Sequence, residues 1–267
     1  LKSATATFTA VKDGDWNDPA TWGETTEYPT SGDNVFTGSY TVTVTGAEAC
    51  NNIEIESGGS LIISGTNTLD VHGNWENNGS FNAGTYGTVE FTGTSNATVG
   101  GSSTTVFKNF TLSKGAVGNL LEINGDIELD GDIVFTSGKM QVNSGAEVTC
   151  THNSGFTIED VAGLFINGGT FTTGSFSIEN KGLLQIDSGT ITVGSSSGNG
   201  LVIRSSGTLD INGGTVNVAG RLEVSGGIAD ISGGALNLNT VGHSSSTIGT
   251  LDLSPASDFT MTAGTIN

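Results

Sequence analysis

The chain contains 267 residues, with 42 glycines, 3 prolines and a hydrophobic fraction of 34%. Eight Lys and Arg residues against 27 Asp and Glu residues give a net charge of −19, which repels phosphate backbones and argues against nucleic-acid binding. No segment approaches the roughly 18 consecutive apolar residues of a membrane span, so we expect no membrane insertion.

Residues 1–48 differ from the rest of the chain because they hold two of the three tryptophans and lack the glycine repeat described below. We predict that they form an N-terminal strand and a cap in which Trp16 and Trp22 close the apolar end of the fold. Residues 4–11 alternate between apolar residues and threonine and predict an extended strand. This strand either pairs within its own cap or adds to the sheet of a neighbouring subunit. In the second case the contact residues are Thr5, Thr7, Phe8 and Ala10.

Residues 13–24 contain oxygen ligands at the spacing of a calcium-binding loop. The matching residues are Asp13, Asp15, Asn17 and Glu24. The sixth position departs from the pattern, because Asp18 stands where such a loop requires glycine. The alternative is a turn without metal, closed by the two tryptophans. Calcium is the cofactor that this motif suggests.

Six short segments of the first 115 residues carry a family resemblance, and their order is more specific than any one of them. They are residues 14–22 (GDWNDPATW), 29–35, 41–44 (TVTV), 49–55 (ACNNIEI), 73–81 (GNWENNGSF) and 89–93 (VEFTG). This order resembles the opening of large secreted surface proteins of Bacteroidota. The resemblance implies an adhesin-like parallel β-helix exported through the type IX secretion pathway, with no established catalytic motif.

From residue 49 onward a repeat is visible, first in longer aromatic-bearing segments to about residue 115 and then in short glycine-rich ones. The repeated phrase reads INGGT, INGGT and ISGGA at 166–170, 211–215 and 231–235. With looser copies, its last glycines lie at positions 138, 169, 189, 214, 234 and 264, between 20 and 31 residues apart. Units of this size are single coils that become stable by stacking. We therefore predict an all-β fold in which residues 49–267 form a right-handed parallel β-helix, or β-solenoid.

Two cysteines, Cys50 and Cys150, lie 100 residues apart in the sequence, which places them several coils from each other. A disulfide requires Cα atoms within about 7 Å, so we do not expect a bridge inside the chain. The thiols are then either buried as small apolar groups or paired between chains.

We expect no enzymatic activity and assign no catalytic residue, but one pair of carboxylates needs an explanation, because Asp210 and Asp230 occupy the same place in neighbouring repeats. The equivalent places in the flanking coils hold Gln185 and Thr260. Adjacent carboxylates bind a cation or act as an acid and a base. A polysaccharide lyase or hydrolase would place them beside Arg204 or Arg221. The alternative, which we favour, is a solvated acidic face that discourages aggregation.

Threonines form short outward rows in the regular half of the chain, at Thr170, Thr172, Thr190 and Thr192. Such rows could form a flat hydroxyl face that binds ice or glycans. Threonine is also simply a favourable residue on an exposed strand.

Residues 261–267 repeat the glycine phrase and continue into the following strand. An open β-helix end exposes unpaired backbone groups, so we expect either further chain beyond Asn267 or a second subunit at this end. The contact residues would be Met261, Thr265 and Ile266, and end-to-end self-association is the expected partnership.

These patterns predict a structural protein that is secreted and lies outside the cell or on its surface. It would be the subunit of a self-assembling filament, or a stalk or adhesin of the bacterial surface. The alternative is a polysaccharide-binding or polysaccharide-degrading β-helix protein. A glycan or another surface ligand is the partner expected besides a second copy of the chain.

Overall fold

The computed structural model describes residues 5–152, 154–194, 199–240 and 250–267. Residue 4 of the predicted first strand lies outside these ranges. The described residues form parallel β-strands and one short 3-10 helix, Pro19–Trp22. None of their helices is long and apolar enough to cross a membrane.

The strands are short in the first half of the chain and include three long, bent ones in the second. The strands before residue 124 are β1 (Thr7–Thr9), β2 (Gly14–Asp15), β3 (Asn34–Phe36), β4 (Thr41–Val44), β5 (Glu48–Cys50), β6 (Ile53–Ile55), β7 (Ser60–Ile63), β8 (Thr68–Val71), β9 (Trp75–Asn77), β10 (Ser80–Asn82), β11 (Thr88–Phe91), β12 (Ala97–Gly100), β13 (Thr105–Phe107), β14 (Asn109–Ser113) and β15 (Leu120–Ile123). The later strands are β16 (Ile127–Leu129), β17 (Ile133–Asn143), β18 (Glu147–Cys150), β19 (Phe156–Thr173), β20 (Ile178–Asn180), β21 (Leu183–Val193), β22 (Asn199–Ile203), β23 (Thr208–Ile211), β24 (Thr215–Val218), β25 (Arg221–Val224), β26 (Ile228–Ile231), β27 (Ala235–Leu238), β28 (Leu251–Leu253), β29 (Asp258–Met261) and β30 (Thr265–Ile266).

These strands stack in three columns, which we call faces A, B and C. Face A contains β1, β3, β6, β9, β12, β15, β17, β19, β21, β23, β26 and β29. Face B contains β2, β4, β7 and β10, and then β13, β16, β18, β19, β21, β24, β27 and β30. Face C contains β5, β8, β11, β14, β17, β19, β20, β22, β25 and β28.

The chain visits the faces in the order A, B, C and then starts the next turn. The strands β17, β19 and β21 bend around corners and belong to more than one face, with register shifts inside their ladders. The predicted all-β parallel β-helix is thus confirmed. The right-handed winding and the N-terminal cap stay predictions. The boundary predicted at residue 48 coincides with the first residue of β5.

The core is a single cluster of buried side chains that extends from Phe8 to Leu236. Because alternate residues of a strand point to opposite sides, one set of side chains on every face turns inward. In β23 and β24 the inward side chains are fully buried, namely Leu209, Ile211, Val216 and Val218. Each aliphatic side chain buried in this way stabilises the fold by about 1.5–3 kcal/mol.

Aromatic rings link successive turns inside this core. The Trp75 and Phe107 ring centroids lie 5.3 Å apart, and Phe107 contacts Phe110 at 5.6 Å. The series continues to Phe135 and Phe156, whose stacked rings are 5.4 Å apart. The aromatic segments recognised in the sequence therefore pack along the axis of the solenoid.

The first strand, β1, pairs in parallel with β3 of the same chain. Its Phe8 and Ala10 are 5% and 3% exposed, and the Phe8 ring lies 6.0 Å from that of Trp22. Trp22 packs edge-on against Trp16 at 5.6 Å and donates its Nε1–H to the Trp16 carbonyl. Phe8 and Ala10 therefore belong to the core of this chain, and a contact of these residues with another subunit stays a prediction. Thr5 and Thr7 are exposed.

Both cysteines are free and buried, as one of the two sequence interpretations expects. Burial in apolar surroundings raises the pKa of the Cys50 thiol, and nearby Asp70 raises it further. Burial alone raises the pKa of the Cys150 thiol. The two side chains therefore act as small apolar core groups.

Glycines at the corners allow successive turns to touch through their backbones. Gly189 has a φ of +83°, and a Cβ atom there would lie 2.2 Å from the Gly169 carbonyl oxygen of the preceding turn. Gly65 also has a positive φ of +63°, but no atom lies within 4 Å of its Cβ position. A substitution at Gly65 therefore measures only the cost of a positive φ, whereas one at Gly189 also includes the cost of a collision between the new Cβ atom and the backbone.

We predict that Gly189→Ala destabilises the protein more than Gly65→Ala. The Gly65 change should lower the free energy of unfolding by about 1–2 kcal/mol, the cost of a left-handed backbone with a Cβ atom. Gly189→Ala adds a backbone collision to that cost. Urea unfolding of both variants measures the difference, with Gly32→Ala as a control at an open position without positive φ. Equal losses at positions 65 and 189 would contradict the close stacking of the corners.

Candidate functional site

The residues of the predicted calcium loop make separate contacts instead of forming one cluster. The Asp13 Oδ1 atom accepts a hydrogen bond from the Thr41 backbone N–H at 2.7 Å. Asn17 hydrogen-bonds the Glu48 carboxylate through its side chain. The remaining members are Asp15, whose carbonyl accepts the Thr21 hydroxyl at 2.8 Å, and the exposed Glu24. Within the described ranges, no group of three or more His, Cys, Asp or Glu side chains is placed to hold a metal ion.

Face A carries the acidic pair that the repeat spacing predicts. Asp210 and Asp230 are register partners on the neighbouring strands β23 and β26. We use the word file for a row of register partners in successive turns. In this file Gln185 lies next to Asp210 and Thr260 lies next to Asp230, as expected. The carboxylates therefore lie side by side on the outside of one face.

Face C carries a ladder of alternating charges, which we call the ionic ladder. Its members are Glu159, Lys181, Glu179, Arg204, Glu223, Arg221 and Asp252. The Arg204 guanidinium lies 3.0 Å from Glu179 Oε2 and 3.6 Å from Glu223 Oε1. The Arg221 guanidinium lies 2.8 Å from Glu223 Oε2 and 3.0 Å from Asp252 Oδ2. Each arginine is therefore held between carboxylates of different turns.

This arrangement separates the groups that a polysaccharide-degrading site would combine. Asp210 and Asp230 lie on strands of face A, whereas Arg204 and Arg221 belong to the ionic ladder on face C. The ladder is partly exposed, so each pair contributes only about 0.2–1 kcal/mol. The main effect of the ionic ladder is that carboxylates neutralise the charges of Lys181, Arg204 and Arg221 and that the ion pairs connect successive turns.

Face B carries an uncharged surface over the same turns, which we call the neutral strip. Its residues form two files, Thr170, Thr190, Thr215, Ala235 and Thr265, and Thr172, Thr192, Asn217, Asn237 and Asn267. The predicted Thr rows are thus in register, Thr170 with Thr190 and Thr172 with Thr192. Side-chain hydrogen bonds run along the second file, where Asn237 donates to Asn217 Oδ1 at 2.8 Å.

A polar pocket of about 500 Å³ lies at the corner between faces C and A in the first half of the chain. It is lined by Asn51, Asn52, His72, Gly73, Asn74, Gly93, Thr94, Ser95 and Asn96. The His72 Nε2 atom lies 3.2 Å from Asp70 Oδ2, and the same carboxylate accepts a hydrogen bond from the Thr92 hydroxyl. Sequence reasoning missed this site. The signal was the alternation in Asp70-Val71-His72, which points both polar side chains outward.

No protein-family model, curated protein or solved structure matches this chain. The fold assignment therefore rests on the strand pairings, and any function has to be argued from the surfaces just described.

Lys114 is a charged residue that lies inside the fold. The Lys114 side chain is 1% exposed, and its Nζ donates a hydrogen bond to the Thr92 carbonyl at 2.8 Å. A carbonyl carries no formal charge, so this partner does not neutralise an ammonium group. Burial consequently lowers the pKa of Lys114.

We predict that Lys114→Met raises the free energy of unfolding at pH 7. Desolvation of the ammonium costs more than the one hydrogen bond returns. The pKa of Lys114 is lower in the folded state than in the unfolded state. The loss of stability caused by burying the ammonium is therefore complete below the folded pKa and disappears above the unfolded pKa of about 10.4. The advantage of the variant should therefore shrink as the pH approaches 10.

Thermal unfolding of the native protein and the variant from pH 7 to 10 measures this effect. Lys108→Met is the control, because Lys108 is paired with Asp130 at 2.9 Å on the surface and should give no gain. A loss of stability on Lys114→Met at every pH would show that the buried amine stabilises the corner.

Proposed function

We propose that this chain is a rigid structural segment of an extracellular bacterial surface protein, the stalk of an adhesin. One observation carries the proposal: a single continuous core extends through the stacked turns from Phe8 to Leu236. Backbone hydrogen bonds between parallel strands run along the axis on all three faces. Bending such a body would break several ladders at once, which suits a spacer that holds another element at a distance.

The outer side chains support the same role. The ionic ladder joins turns on face C, and Asn237 and Asn217 join turns on face B. In both cases the polar groups bond to neighbours along the axis instead of converging on one point. Such an arrangement stabilises a rod and gives little support to polysaccharide degradation.

The contacts of β1 favour a stalk over a filament built by strand addition. That filament would require Phe8 and Ala10 to enter the sheet of a neighbouring subunit, but they are buried in their own chain. End-to-end association through Met261, Thr265 and Ile266 stays a prediction. The side chains of Met261 and Ile266 are 42% and 37% exposed.

The extracellular location is supported by two sequence properties. The net charge of −19 keeps a rod with a large surface dispersed. The order of segments in the first 115 residues resembles secreted adhesin-like proteins. Both are arguments from the sequence, and they complete the proposal of a surface stalk.

Negative-stain electron microscopy together with sedimentation analysis tests the proposal. A stalk segment should give single rods of one length, independent of protein concentration. Threads that lengthen with concentration would favour the filament instead.

Phe8→Ala separates the two roles further, with Thr7→Ala as the exposed control. If β1 packs in its own core, Phe8→Ala lowers the free energy of unfolding by about 3–5 kcal/mol. If Phe8 instead joins subunits, the variant shortens threads and leaves the stability of the single chain unchanged.

A further inference from the structure

The polar pocket beside His72 lies where successive corners between faces C and A differ in length. These corners are residues 51–52 in one turn, 72–74 in the next and 92–96 in the third. Gly93 has a φ of +72°, and a Cβ atom there would lie 2.9 Å from the His72 carbonyl oxygen, so the longest corner rests directly on the one before it. The pocket volume of about 500 Å³ is within the range of small-molecule sites, roughly 300–1,000 Å³.

Two asparagines of the pocket present hydrogen-bond donors, because their acceptor atoms are already used. Asn74 Oδ1 accepts the backbone N–H of Thr98 at 3.0 Å, and Asn96 Oδ1 accepts that of Leu120 at 3.1 Å. A backbone N–H can pair only with the oxygen of a carboxamide, so these bonds fix which end of each side chain carries the donors. Neither Nδ2 atom donates to another residue in the described ranges. Each asparagine therefore has two N–H groups available to a ligand.

The other lining groups add donors and no negative charge. Thr94 and Ser95 are exposed and bring two hydroxyl groups, and the His72 imidazole is held at its Nε2 atom by a carboxylate. The asparagines of the 51–52 corner use their Nδ2 groups on Asn34 Oδ1, so the free donors are concentrated on the second and third corners. Among the described residues that line the pocket there is no Asp or Glu.

A buried positive charge lies behind the corner that carries these donors. The Lys114 Nζ atom donates to the carbonyl of Thr92, the residue that directly precedes Gly93 of the pocket. Within the part of the chain that the structure describes, Lys114 makes no ion pair. Buried charges are normally paired, because an uncompensated one costs desolvation free energy. The fold thus places an uncompensated ammonium group one peptide unit from a pocket rich in donors.

We infer that this pocket binds a small oxyanion, with a carboxylate as its chemical class. The oxygens of an ionised carboxylate only accept hydrogen bonds, which matches the excess of donors, and bonds to a charged acceptor are stronger than neutral ones. The Lys114 ammonium group adds attraction over a longer distance. Asp70 and Glu90 are register partners on face C close to the pocket, so one negative charge on the ligand is favoured over two. A neutral sugar gains nothing from the buried ammonium group.

This inference is independent of the proposed stalk, because the shape of the molecule is measured separately. The experiment is an NMR titration of the full chain, labelled with ¹⁵N, at pH 7 and constant ionic strength. The probes are sodium acetate, sodium sulfate and glucose. We expect acetate to shift the side-chain amide signals of Asn74 and Asn96 until they saturate, sulfate to bind more weakly than acetate, and glucose to leave these signals unchanged.

Asn96→Asp replaces the N–H donors by a carboxylate oxygen of nearly the same shape and can still accept the N–H of Leu120. It should weaken acetate binding by roughly tenfold or more, because donors are lost and a like charge is added. The matched control is Asn82→Asp on β10, outside the pocket. Asn82 Oδ1 also accepts a backbone N–H, that of Gly84 at 2.8 Å, and this variant should bind acetate like the native protein. Lys114→Met leaves every lining donor in place and should weaken binding about threefold. Thermal unfolding shows whether each variant is folded.

Three results would overturn the inference. The first is that acetate causes no saturating shift at Asn74 and Asn96. The second is that folded Asn96→Asp binds acetate as well as the Asn82→Asp control. The third is that glucose shifts the two amide signals and acetate does not, which would assign the pocket to a neutral ligand. An unchanged acetate affinity in folded Lys114→Met would contradict the part given to the buried ammonium group.

Discussion

Close backbone contact between successive turns is the constraint on which this structure depends. At Gly194 an added Cβ atom would lie 1.7 Å from the Gly174 carbonyl oxygen, and at Gly131 it would lie 1.8 Å from the Lys108 carbonyl oxygen. Only glycine permits that approach without moving a turn. Where the corners touch in this way, the strands between them stay in register, and inward side chains always meet inward side chains.

The same register determines what lies outside. Each outward side chain sits above its counterpart in the previous turn, so a residue type repeated in the sequence becomes a file along the rod. Asp210 and Asp230 become an acidic pair, and Asn217 and Asn237 become a chain of amides. Because a turn contributes to three faces, one short repeat can build three surfaces of different chemistry.

Much of this architecture could be predicted from local sequence. The glycine phrase and the period-two alternation predict the coils, the inward position of Leu209 and the pairing of Asp210 with Asp230. These features depend only on neighbours within a strand or on the same place in the next repeat.

Other features could not be predicted, because they depend on how corner lengths rotate the strands into faces. In the ionic ladder, Lys181 and Arg204 each directly follow the end of a strand. Both contact Glu179, and Arg204 also contacts Glu223, so the ladder connects Lys181 to a residue two turns away. The pocket beside His72 is likewise made by three stacked corners. For β1 the difficulty is different: its alternation is equally compatible with a strand in its own chain and with one added to another.

Disulfide trapping tests the in-register stack most directly. Thr170 and Thr190 are register partners on face B, so cysteines at these positions have Cα atoms about 4.8 Å apart, within the range of a disulfide. Cysteines at Thr170 and Gln185 lie on different faces and serve as the mismatched pair. The buried native thiols contribute little background. We predict rapid formation of the 170–190 bridge under mild oxidation and none between 170 and 185. Failure of the first pair, or efficient bridging of the second, would contradict the stacking from which every surface described above is built.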